Sequence, residues 1–299
     1  MTHDSEADQR NQDILIYVNG KLVPREQASV SVYDSGFLLG DGVWEGLRLK
    51  EGKWVFIDEH LDRLFEGALA LDLNLSMTKE EILTALEETR QANQMETDVH
   101  ARIMFTRGRK NKPFQHPSFS TSGPTTVMIL EHSEPVKHLG TNGVKLATVP
   151  QMRGTPNSQD PKLNSHSKLN CILACIQAEK AGADEALMLD PLGFVNTSNA
   201  CNFFIVKNGE VWTSTGDYCM NGITRMKVIQ VCRNLDIPVY EKNYSLVDTY
   251  SADEAFLTGS FGGQTRVSEI DGRLIGCEVT PITERIREGY NQLIQADIR

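Results

Sequence analysis

Residues Asp160–Ala174 read DPKLNSHSKLNCILA. The first residues predict the end of a strand. From Leu169 onward, Leu169, Ile172, Leu173 and Ile176 fall on one face at helical spacing, which predicts a helix running to a C-cap at Gly182. The apolar run EALMLD at Glu185–Asp190 then predicts another strand. A strand that enters a helix and returns to a strand marks an α/β chain. The stretch holds two lysines, Lys162 and Lys168, and each is a candidate catalytic amine.

Toward the amino end, residues 1–13 are polar and acidic, with no apolar segment behind a basic one, and read as a disordered tail rather than a secretory or transit signal. ILIYVNGKLVP alternates apolar residues around Asn19-Gly20, a hairpin signal. DEHLDRLFEGALAL places Leu61, Leu64, Phe65 and Ala68 at helical spacing with Asp58 as N-cap, and Thr78 and Glu81 have capping-box spacing before a second helix. ARIMFT and TTVMILE read as strands. Residues 14–135 are therefore expected to form a small N-terminal α/β domain. EHSEPVKHLGTNG, with a proline, two glycines and no apolar period, predicts an interdomain linker over 136–143. Residues 144–299 form the larger C-terminal domain: VKLATVP, the helix and strand already described, NFFIVKNGEVW folded at Asn208-Gly209, a helix from GITRMKVIQVCRN, and a strand in EAFLTGSFGG.

Two domains suit 299 residues. Hydrophobic residues make up 40% and charged residues 23%, as in a globular protein, and no apolar run approaches the roughly 18 residues of a membrane span. Forty acids against thirty scattered bases, a net charge of −10, argue against nucleic acid as a partner. Six cysteines without a CxxC point to reduced thiols in the cytoplasm. Cys171 and Cys175 share a helix face, but no His or acid at ligand spacing accompanies them, so no metal is expected.

Three glycine-bearing stretches stand at element junctions: GDGVWEG (Gly40–Gly46), NGITR (Asn221–Arg225) and TGSFGGQT (Thr258–Thr265). A helix entered at Gly222 leaves the Ile223 and Thr224 amides free, and its dipole adds positive potential, so the turn suits a phosphate.

In order and spacing, SVYDSGFLLGDGVWEGLRL, HLDRL, KLNCILACIQAEKAGADEALMLD, GFV with NFF behind it, NGITR and TGSFGGQTRV resemble the class IV aminotransferases over about residues 14–290. The chain looks closest to the bacterial branched-chain group. The resemblance implies a fold-type IV, D-amino acid aminotransferase-like architecture of two α/β domains, a homodimer, and pyridoxal 5′-phosphate in the cleft between the domains. It implies phosphate contacts from Arg63, Ile223, Thr224 and Ser260, and a substrate pocket with Trp44, Arg102, Phe261 and Gly262. Guanidinium, hydroxyl and helix N-terminal amides are groups a phosphate favours. Arg153, in PQMRGTP, could also reach the cleft.

The chain departs from the family at two positions. Where the family writes its Schiff-base lysine as the fifth residue of D-P-x-x-K, this chain has Asn164, and an amide cannot form that bond. Where the family places a Glu beside the cofactor's pyridine nitrogen, four residues after a Gly, this chain has Thr197 after Gly193. Three readings remain open. Lys168, one turn from Asn164, has taken over as the amine; or Lys162 supplies it; or no lysine does. His166, between Ser165 and Ser167, is a candidate proton carrier.

The expected activity is transfer of an amino group from a branched-chain-type amino acid to a 2-oxo acid, with Lys168 and His166 as catalytic candidates and with Asn164 and Thr197 beside the cofactor. The alternative is a homologue that binds the cofactor, or another phosphorylated small molecule, without transamination.

Overall fold

The computed structural model describes residues 7–134, 142–276 and 279–298. Most of the predicted linker, 136–143, lies outside them. Among the described residues the strands form two sheets, one from each side of this segment.

The first sheet is antiparallel and runs β2 (Lys21–Pro24), β1 (Leu15–Val18), β6 (Thr125–His132), β5 (Val99–Thr106), β3 (Gly42–Lys50), β4 (Lys53–Trp54). The hairpin turn falls at Asn19-Gly20, both with positive φ, as its two-residue type demands. Strand alternation sends Val99, Ala101, Ile103 and Phe105 into the core, against Leu61 and Leu64 of the helix Ile57–Ala70 and Ile82 and Leu86 of the helix Lys79–Ala92. Thr78 and Glu81 form the expected capping box on the second of these helices.

The second sheet is mixed. Its order is β12 (Val239–Glu241), β11 (Glu210–Thr213), β10 (Asn202–Lys207), β13 (Glu254–Gly259), β14 (Gly263–Ile270), β7 (Val144–Val149), β8 (Glu185–Leu189), β9 (Val195–Ser198), with β15 (Arg273–Leu274) beside β14. β10 is buried on both faces. Phe204 and Val206 pack with Val228 and Cys232 of the helix Ile223–Asn234 and with Ile286 and Tyr290 of the helix Pro281–Asp297. Phe203 and Ile205 face Val144, Leu187 and Leu257. Burying each phenylalanine contributes about 2–3 kcal/mol.

The segment after Asp160 is stitched onto the first sheet. The Trp44 amide donates to the Asn164 carbonyl (3.1 Å), the His166 amide donates to the Gly42 carbonyl (3.0 Å), and Ser165 bridges Val43. Residues far apart in sequence thus meet at the start of β3.

Four expectations differ from the structure. Asp160–Leu163 is a turn rather than a strand end: Asp160 Oδ1 accepts from the Lys162 amide and its carbonyl accepts from Leu163, which leaves Lys162 exposed. The N-cap of Ile57–Ala70 is Phe56, in a left-handed conformation (φ 52°), and Asp58 lies in the first turn, where its charge meets the positive helix end. The tail is ordered from Asp8: that residue caps a short 3-10 turn, Gln9–Asn11, and the Asn11 side chain pairs with the main chain of His132. In the helix Leu169–Lys180, the buried face is the small one, Cys171, Ala174 and Ala178, which lets the helix lie close on Ala147 and Ala186. Leu169, Ile172, Leu173 and Ile176 are exposed instead.

Candidate active site

A cleft with about 710 Å³ of empty space, its open mouth included, lies where β3, β5, the Asp160 segment, β9, β10 and the start of Ile223–Asn234 converge.

Its lining includes Arg63, Gly222, Ile223, Thr224 and Ser260. The helix Ile223–Asn234 begins at Gly222 with no side-chain cap, so its first amides are not taken by a capping group. A Cβ on Gly222 would collide with Asn202 Oδ1, which itself lines the cleft. The guanidinium of Arg63 is fixed from behind: Nε and Nη2 donate to Glu45 at 2.8 and 2.7 Å, and Nη1 donates to the Asn221 carbonyl at 3.4 Å. Glu45 is fully buried and also lies 2.7 Å from His60 Nδ1. Burial, the largest single influence, would raise the Glu45 pKa, but the Arg63 charge and the hydrogen bonds from Arg63 and His60 together outweigh it and hold the carboxyl below its usual range.

Aromatic and cationic side chains line the same cleft: Trp44, His100, Arg102, Arg153 and Phe261. The Arg102 guanidinium lies 4.0 Å from the Trp44 ring centre, and Phe261 meets His100 edge-on at 5.6 Å. Trp44 Nε1 donates to the Ser165 carbonyl. Arg153 donates to the Asn199 carbonyl at 2.9 Å and contacts Cys171 Sγ at 3.1 Å.

Asn164, Thr197 and Thr258 line the cleft as well. Asn164 Nδ2 donates to the Trp44 carbonyl (2.7 Å), and its Oδ1 is buried without a partner. The Thr197 hydroxyl donates to the Cys201 carbonyl (2.8 Å), so it offers a ligand its lone pairs rather than its proton.

Of the residues expected at the site, Trp44, Arg63, Arg102, Asn164, Thr197, Ile223, Thr224, Ser260 and Phe261 line the cleft. Gly262, Lys168 and His166 are not on its wall. Gly262 lies past the turn of Phe261. Lys168 is the N-cap of its helix, and its ammonium sits 5.7 Å from the Trp44 ring centre. Burial, with Arg153, Arg63 and Arg102 nearby, lowers its pKa to about 8. His166 packs behind Gly42 with Nε2 buried and unpaired, and burial lowers its pKa as well. Glu45, His100 and Thr258 were not singled out: Glu45 and Thr258 fall inside the stretches GDGVWEG and TGSFGGQT, but no spacing argument marks their side chains. Among the described residues no cluster of three or more metal-ligating side chains occurs.

Residues 42–270 match the sequence model of amino-transferase class IV. The chain is 40% identical over 284 residues to branched-chain-amino-acid aminotransferase-like protein 2 of Arabidopsis thaliana, an alignment covering 95% of this chain and 51% of that protein. It thus spans about half the length of that relative. It is 38% identical to the putative branched-chain-amino-acid aminotransferase of Methanocaldococcus jannaschii, covering 93% and 96% of the two chains. A solved T.th. branched-chain amino acid aminotransferase with pyridoxamine 5′-phosphate superposes with a TM-score of 0.88 at 28% identity, covering 95% of each chain. With the sequence model matched over residues 42–270 and 38–40% identity to relatives over nearly the whole chain, the chain belongs to the class IV aminotransferases.

Proposed function

We propose that the cleft binds pyridoxal 5′-phosphate by its phosphate, and that the chain transfers the amino group of a branched-chain-type amino acid to a 2-oxo acid. The observation that carries this reading is the convergence of Arg63, the uncapped amides of Ile223 and Thr224, and Ser260 on the wall of one cleft that Arg102 and Arg153 also line. The names of the relatives support the substrate class, and the cofactor form held by the T.th. enzyme supports the ligand.

The residues fit the cofactor at the phosphate and depart from the family at the ring. When bound, the cofactor supplies an electron sink for bonds at the amino acid's α-carbon. Thr197, without charge, leaves that sink weaker than a carboxylate would. Arg102 and Arg153 draw a substrate carboxylate to the mouth of the cleft, and Trp44 and Phe261 exclude water beside it. Lys168 is the chain's amine near the reacting centre: with its pKa lowered to about 8, a neutral fraction is present near neutral pH to take a proton. His166, behind Gly42, is a reserve proton carrier that would have to turn toward the cleft.

A second reading, a homologue that binds the cofactor or another phosphorylated small molecule without transamination, draws on the buried Asn164 and on the place of Lys168 off the wall. Amino transfer from Leu, Ile, Val or Glu to 2-oxoglutarate, with and without added cofactor, separates the two. Cofactor-dependent turnover supports the first, and a saturated site without turnover leaves the second.

A division into domains 14–135 and 144–299 accords with one sheet on each side. A homodimer accords with the exposed Leu169, Ile172, Leu173 and Ile176. A cytoplasmic setting accords with the free cysteines. Among the described residues no helix is long and apolar enough to cross a membrane.

A further inference from the structure

We infer that Asn164 makes the cleft selective for the amine form of the cofactor, pyridoxamine 5′-phosphate, held without a covalent bond. The inference deepens the cofactor reading above and rests on it.

Asn164 is 6% exposed and lines the cleft, and the resemblance to the family puts it where the Schiff-base lysine would stand, beside the cofactor's C4′. Its amide cannot be turned over, because the Trp44 carbonyl at 2.7 Å requires an N–H and would repel an oxygen. The same two residues are joined by a main-chain bond from the Trp44 amide to the Asn164 carbonyl. The side chain therefore has one acceptor left, Oδ1, buried and without a partner. A buried carbonyl in that state carries a desolvation penalty that a ligand donor relieves.

Three C4′ substituents can be compared at this wall. An amine donates to Oδ1, a methyl group leaves the acceptor unsatisfied, and an aldehyde oxygen sets two acceptors against each other. No covalent competition comes from residue 164 itself, since an amide nitrogen is not a nucleophile. The amine donates to Oδ1 whether neutral or protonated, so the contact does not depend on its charge.

The test is calorimetric titration of the full chain, freed of cofactor by dialysis, with pyridoxamine 5′-phosphate, 4-deoxypyridoxine 5′-phosphate and pyridoxal 5′-phosphate. The first two cannot react with any lysine, so their ratio reads the hydrogen bond alone. The amine should bind about tenfold or more tighter than the deoxy compound, and Asn164→Leu should bring the two within about twofold. Circular dichroism establishes that the variant is folded, and the wild-type ratio stands without it. Equal affinities in the wild-type chain overturn the inference and leave the cofactor reading intact. Tighter binding of the aldehyde, with borohydride fixing it to Lys168, also overturns it. No binding of any of the three removes the cofactor reading and the inference together.

Discussion

Glu45 grips Arg63 at two points, accepting from Nε at 2.8 Å and from Nη2 at 2.7 Å, in a place closed to solvent on the carboxylate's side. The pair fixes the guanidinium and leaves its remaining N–H groups for the cleft.

Removing one partner of a buried pair leaves the other uncompensated. Glu45→Ala should lower stability in urea unfolding by about 3–5 kcal/mol. The Glu45 carboxyl is held below its ordinary 4.5, so its contribution is fully present above that pH and is lost as pH falls through the lower folded value. The difference between wild type and variant should therefore be constant from pH 7 to 5 and shrink only in stronger acid. A difference that fades between pH 7 and 6 would show that the pair does not stabilise the fold in this way.

At Gly222 the effect should fall on ligand binding. A Cβ there meets Asn202 Oδ1, and the Asn202 Nδ2 is tied to the Met220 carbonyl, so the collision displaces the start of the helix. Gly222→Ala should weaken pyridoxal phosphate binding at least about tenfold while costing about 1–3 kcal/mol of stability. Titration calorimetry and thermal unfolding read the two separately. Unchanged affinity would remove the helix start from the phosphate site.

Lys168 has a folded pKa of about 8, against an ordinary 10.5. Below pH 8 the folded protein bears the full penalty of a buried ammonium. Between about 8 and 10.5 the unfolded chain binds the extra proton, and stability rises with pH. Lys168→Met should therefore raise the melting temperature at pH 7 by roughly 2 °C, with the gain fading toward pH 10. If Lys168 takes the proton in amino transfer, kcat should rise with pH through an apparent pKa near 8 and fall at least about a hundredfold in the variant. A flat profile with normal kcat would release Lys168 from the reaction.

On the outer face of the helix Leu169–Lys180, Leu169 is 69% and Ile172 53% exposed. If this face joins two copies, the wild-type chain should sediment as a dimer and a Leu169→Glu, Ile172→Glu variant as a monomer with unchanged helix content. A wild-type chain that is monomeric at micromolar concentration would exclude the dimer.

Local signals were read well where the chain's own neighbours decide the outcome. Asn19-Gly20 turns a hairpin because both residues accept positive φ, and Thr78 and Glu81 cap each other within one turn. The resemblance to the family named nine residues that line the cleft. Local reading failed where a distant partner decides. Phe56 displaces Asp58 as N-cap because its amide is held by Asp297, 241 residues away. The apolar stripe of Leu169–Lys180 faces outward because small residues, not large ones, fit against β7 and β8. Arg153 sits in a loop with no periodicity, so only the carbonyl of Asn199 reveals where it points.

The bond from the Phe56 amide to Asp297 Oδ2, 2.6 Å long, has a bearing on how the chain is made. Phe56 opens the helix that carries Arg63, yet its anchor lies in the helix Pro281–Asp297, far along the chain. A ribosome releases Asp297 only after that whole intervening stretch has been made, so the first sheet can close long before the base of the Arg63 helix is secured. A nascent chain therefore carries the Arg63 helix with its base unsecured until Asp297 emerges, and a cut that removes Asp297 would return the folded protein to that unanchored condition.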